Sequence, residues 1–124
     1  MESVHILLAA PLLPGKTEAW RRLAQEMAGW QGCGYVLSRR ALGITAEWLW
    51  LTRVGAADVV VMAVMSDQPE QILAKMVVSE RPFDRWFCQQ LEALLGIDRK
   101  RLGSVPCERV LTWQERSYGV MADM

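Results

Sequence analysis

The stretch GITAEWLWLTRVGAADVVVMAVM, residues 43–65, decides the fold, because it reads as two strands joined by a short turn around Gly55. In residues 45–52 two sets alternate, Ala46, Trp48, Trp50 and Thr52 against Thr45, Glu47, Leu49 and Leu51. A period of two with aromatic and branched side chains is the pattern of a strand, here with one Trp-bearing face. Residues 59–65 are apolar without a break. Such a run is too short to span a membrane and suits a strand buried on both faces in the middle of a sheet. Between them residues 53–58, with one Gly and one Asp, have the composition of an antiparallel hairpin loop.

Working outward, residues 4–10 form a second apolar run, with Val4, Ile6, Leu8 and Ala10 on one face and His5, Leu7 and Ala9 on the other. Pro11 and Pro14 close this strand, since neither can donate to a ladder. Thr17 is an N-cap candidate for a helix whose buried stripe is Trp20, Leu23, Met27 and Trp30. Gln31-Gly32-Cys33-Gly34 interrupts that pattern, and residues 35–42 resume as a short helix ended by Gly43. Beyond the hairpin, Pro69 opens a short helix with Ile72, Leu73, Met76 and Val77 on its apolar face. A longer one follows from Pro82 or Phe83 to Leu95, with Gly96 as its stop. Residues 99–106 read as a polar connector, and residues 108–113 alternate as a weaker strand.

The 124 residues make one domain without linkers or internal repeats, large enough to bury a core. Fourteen basic and fourteen acidic residues cancel, so no charge pattern calls for nucleic acid or an anionic membrane. Glu2 stands where a signal peptide needs positive charge, and the apolar run behind it is short. A cytoplasmic protein is expected. The three cysteines, 33, 88 and 107, form no CxxC pair, and His5 is the single histidine. Neither a disulfide framework nor a metal site is expected, and no cofactor is called for.

The order strand, helix, strand, strand, helix, strand predicts an α+β, ferredoxin-like βαββαβ fold, a four-stranded antiparallel sheet with helices on one face. Because residues 4–10 and 59–65 are apolar on both sides, the second face also needs cover, and a homodimer packed sheet to sheet is expected. VHILLAAPLLPGKTEAWRRLAQEM (residues 4–27), GITAEWLWL (43–51) and especially SERPFDRWFCQQL (79–91) carry a further signal. They resemble a bacterial family of small uncharacterised domains in the dimeric α/β-barrel superfamily, some members of which are labelled antibiotic biosynthesis monooxygenase-like. The resemblance spans residues 4–95 and departs at Gly-Cys-Gly and in the longer part from Arg99 onward. It implies a homodimer more strongly than a reaction, because the superfamily holds cofactor-independent monooxygenases, haem-degrading enzymes, isomerases and members without known activity.

In that architecture a small-molecule ligand enters between sheet and helices. His5 and Glu47 are the catalytic candidates for removing a proton from an aromatic or polyketide-like substrate. Trp48, Trp50, Arg85 and Trp86 are the ligand-binding candidates. Each has an ordinary alternative: a hydrogen-bonded core imidazole for His5, a strand-edge carboxylate for Glu47, core packing for the indoles and a solvated face for Arg85. Asp84 is most simply a first-turn carboxylate at the positive end of its helix. A phosphate loop, a nucleophile elbow and a carboxylate dyad are absent from the sequence, which disfavours nucleotide-dependent, hydrolytic and glycosidic chemistry. Two classes remain: a cofactor-independent monooxygenase or related enzyme, and a non-catalytic dimeric ligand-binding or structural domain.

Overall fold

The structure is a computed structural model and describes residues 4–103, 108–113 and 115. In chain order it comprises β1 (Val4–Pro11), α1 (Thr17–Ala28), α2 (Gly32–Ala41), β2 (Ile44–Val54), β3 (Ala57–Ser66), a 3₁₀ turn (Pro69–Gln71), α3 (Ile72–Val78), α4 (Pro82–Leu95) and α5 (Arg99–Leu102). The strands form an antiparallel sheet in the order β1-β3-β2. The unbroken apolar run thus takes the centre, as its two-sided hydrophobicity requires. Val54 pairs directly with Ala57, so the hairpin is tighter than residues 53–58 implied. Gly55 has φ 62 and no non-glycine residue among those described has positive φ, which places glycine at the first position of the two-residue loop, as a type II′ turn demands.

Two faces follow from the register. Val60, Met62 and Val64 on β3 are fully buried. Their partners are Ala10, Leu8 and His5 on β1 and Leu51, Leu49 and Glu47 on β2. This is the face beneath the helices, and its core includes Leu23, Ile72, Met76, Phe87 and Leu91. The opposite face carries Val4, Ile6, Ala9 and Pro11, then Val59, Val61, Ala63 and Met65, then Ala46, Trp48, Trp50 and Thr52. On β1 the simple alternation fails. A bulge between Ile6 and Leu8 shifts the register, so His5 shares a face with Leu8 and Ala10 rather than with Leu7 and Ala9.

Other expectations change as well. The four-stranded ferredoxin-like sheet is three-stranded among the described residues, because residues 108–113 form no strand. Val110, Leu111 and Trp113 are 85%, 81% and 78% exposed, so burial does not reward pairing there. The edge of β1 is also blunted by its bulge and by Pro11. Trp30 does not join the buried stripe of α1; it is 72% exposed, since the helix ends at Ala28 and its periodicity stops there. Thr17 is not the N-cap, a position held by Lys16; the Thr17 hydroxyl donates to Asp58 instead.

The expected break between the two helices falls at residues 29–31, ahead of Gly-Cys-Gly, which itself forms the first turn of α2. A Cβ on Gly34 would lie 3.2 Å from the Phe83 Cβ, so the missing side chain lets α2 approach α4. That helix opens with Pro82 after an extended Arg81 and ends at Gly96, φ 72. Residues 99–102 form a helical turn where a connector was expected. The Asp98 carboxylate accepts from the Arg101 N–H and Leu102 is buried. No helix among the described residues is long and apolar enough to cross a membrane.

Candidate functional site

Glu47 belongs to the inward set of β2, and α2 lies over it. Its side chain is 2% exposed and that of Arg39 is 6%. Arg39 Nε donates to Glu47 Oε1 at 2.9 Å and Nη2 to Oε2 at 3.2 Å, a two-point fork. The Tyr35 hydroxyl donates to Oε1 at 2.7 Å. Tyr35 and Arg39 stand four residues apart, hence on one side of α2. The guanidinium also lies 4.9 to 5.2 Å from the ring centres of Tyr35, Phe83 and Phe87, a desolvated cation–π setting. Burial chiefly, and the Glu47 carboxylate next, push the Tyr35 phenol up to about 12. Such a group holds its proton at neutral pH and serves here as a donor.

Asp84 continues the polar seam. It is wholly buried and accepts from the hydroxyls of Ser38 and Ser79 and from Arg81 Nη1 at 3.2 Å. Arg39 Nη1 donates to Ser38 Oγ at 3.0 Å, which joins the two clusters. Asp84 is therefore a tie between α2, α4 and the turn before α4, more than a helix-end carboxylate. Arg85, one residue on, points outward and is exposed. Among the described residues, buried side-chain nitrogens and oxygens all have partners.

His5 faces the helix side. It pairs with Val64, and Val64 also pairs with Glu47. The two catalytic candidates thus occupy one row across the sheet, with a strand between them that keeps them about 10 Å apart. Arg109 Nη2 lies 3.1 Å from His5 Nδ1. Because a guanidinium only donates, this contact requires the lone pair on Nδ1.

The ligand-binding candidates are dispersed. Trp48 and Trp50 stack on the open face at 6.4 Å with planes 6° apart. Trp86 is on the helix side, edge-on to Trp30 at 6.1 Å and tilted against Phe83 at 5.5 Å. The sheet separates Trp50 from Trp86. The grooves of about 530 Å³ at Ala74, Val77 and Arg99, and of about 350 Å³ at Thr17, Arg53 and Asp58, are lined by none of the six candidates.

Sequence reasoning missed Tyr35, Ser38 and Arg39. Ser38-Arg39-Arg40 at the end of a short helix looks solvated. The available signal was Glu47, a lone carboxylate among apolar strand neighbours that needed a cation.

The chain was compared with family models, with curated proteins and with solved structures, and none of them matches it.

Proposed function

We propose that the chain is a homodimeric ligand-binding or structural domain that assembles through the open face of its sheet, rather than an oxygenase built on His5 and Glu47. One observation carries this reading. Across all three strands the open face has no charged side chain, and Thr52 is its single polar one among the paired positions from Val4 to Pro11, Ala46 to Thr52 and Val59 to Met65. An antiparallel sheet that meets water alternates apolar with polar, and this one does not.

A two-fold contact presents a patch to itself, and a patch without charge meets no like charge there. The same neutrality gives a foreign partner no charge pattern to select. The stacked Trp48 and Trp50 supply large, rigid contact area at the margin of that face. Sedimentation equilibrium at micromolar concentration tests the reading. The unmodified chain is expected to be a dimer and Val61→Asp, at the centre of the open face, to dissociate or aggregate. A folded monomer for the unmodified chain overturns it.

The cofactor-independent monooxygenase reading retains one observation, the shared row of His5 and Glu47 on the covered side of the sheet. Against it, the Glu47 side chain is 2% exposed and its carboxylate is already engaged by Arg39 and Tyr35. Oxygen consumption with an electron-rich aromatic substrate, abolished by His5→Ala, would favour that reading.

A further inference from the structure

We infer that the outer face of α2 is a docking surface for an acidic, apolar-faced helix of another protein. This face lies on the other side of the sheet from the proposed dimer contact, so the two readings stand or fall separately.

The polarity of α2 is inverted. A helix on a globular protein turns its apolar stripe to the core and its polar side to water. Here Ser38 and Arg39 are buried, held by Asp84 and Glu47, while Val36 and Leu37 are 43% and 63% exposed. The carboxylates account for the inner side; nothing among the described residues accounts for the outer one in that way.

The outer apolar groups are contiguous. Cys33, Val36 and Leu37 are all exposed and recur at three and four residue steps, hence on one face. Trp30, exposed just before the helix, stands edge-on to the half-buried Trp86 at 6.1 Å, which carries the patch across to α4. Single exposed apolar residues are ordinary, but a connected group of them marks an interaction surface. With Arg40, the positions 33, 36, 37 and 40 have the i, i+3, i+4, i+7 spacing of the ridges that a facing helix fills.

Charge selects the partner. α2 contains no acidic residue, and Arg40 closes its exposed face. On α4 the exposed neighbour of Trp86 is Arg85, whereas Asp84 is buried and Glu92 accepts from the Arg99 N–H at the far end. Lys75 and Asp67, which share a groove with Arg40, offset each other. The balance around the patch is basic, in contrast to the neutral open face of the sheet. A second copy docked here would set arginines against arginines within one contact, which like-charge repulsion opposes. Anionic lipid is held by clusters of about 4–8 basic residues, and Arg40 and Arg85 fall short of that. A protein helix with Asp or Glu beside its apolar stripe satisfies both the apolar face and the arginines. A contact of this extent belongs to the small, transient class, below ~1,200 Å².

The test displays a library of short amphipathic helical peptides, varied at their charged and apolar positions, against the full chain and against Leu37→Asp, whose fold is checked by circular dichroism. Peptides lost on Leu37→Asp are expected to carry Asp or Glu beside their apolar stripe. They are also expected to bind Arg40→Glu with Arg85→Glu about tenfold or more weakly. On the unmodified chain they are expected to slow alkylation of Cys33 by iodoacetamide and leave Cys88 unchanged, which reads the same face without any substitution. No Leu37-dependent set, or one without acidic enrichment, overturns the inference. So does either other occupant. Sedimentation of the unmodified chain, but not of Leu37→Asp, with vesicles of phosphatidylcholine and phosphatidylglycerol would assign the face to lipid. A lower association state of Leu37→Asp in sedimentation equilibrium would assign it to a second copy.

Discussion

The Arg39 guanidinium grips the Glu47 carboxylate through two nitrogens, at 2.9 and 3.2 Å, with both side chains almost wholly removed from water. Breaking a buried pair strands the surviving charge, whereas replacing both partners does not. Glu47→Leu or Arg39→Met alone is expected to cost about 3–5 kcal/mol of unfolding free energy. The double variant is expected to cost well under their sum, because no charge is left alone. Urea denaturation of the four proteins measures this, and additive losses would show that the two groups are not coupled.

Asp84 and Arg85 are sequence neighbours with opposite fates. Asp84→Ala removes the acceptor shared by Ser38, Ser79 and Arg81 and is expected to destabilise by about 3 kcal/mol. Arg85→Ala changes an exposed position and is expected to stay within about 0.5 kcal/mol. Thermal unfolding of the two variants side by side checks the contrast. Equal shifts would contradict the inward placement of Asp84.

Tyr35 makes stability fall at high pH. Its folded value is raised from 10.0 to about 12 by burial and then by Glu47. Between those values the folded chain binds more protons than the unfolded one, so stability declines as pH rises. The contribution is whole below pH 10 and lost on the way to about 12. Its size is on the order of 1 kcal/mol after allowance for partial solvent screening. In Tyr35→Phe the decline across that window is expected to be shallower; an identical slope would remove Tyr35 from the account.

Two cysteines are set apart by burial. Cys33 is exposed on α2 and Cys88 is buried on α4. Burial pushes the Cys88 thiol up from 9.0 to about 11, which depletes the reactive thiolate. Iodoacetamide followed by peptide mapping is expected to label Cys33 promptly and Cys88 only in denaturant. Comparable native-state rates would mean that α4 opens readily.

Several features of this fold are local and were therefore open to reading. Trp48 and Trp50 alternate with Glu47, Leu49 and Leu51 on β2 in the structure as they do in the sequence, because the pleat imposes a period of two. Pro82 and Gly96 bound α4, because one fixes φ and the other accepts a left-handed conformation. The central position of residues 59–65 followed from an apolar run that needs cover on both faces.

Other features depend on what each residue meets across space. The face of His5 turned on a bulge at Ile6 and Leu8, and one extra residue in a ladder reverses every side chain beyond it. Arg39 reads as a surface charge until α2 is laid over β2, where Glu47 and three aromatic rings supply what its burial requires. Residues 108–113 have the composition of a strand but found no regular edge to join. By itself the sequence determined the sheet's centre, the helix bounds set by proline and glycine, and the alternation on β2, since these are properties of the backbone and its immediate neighbours. Only the tertiary structure decided which face of β1 looks inward, where the buried charges pair and whether a fourth strand forms, since each depends on a partner far away in the chain.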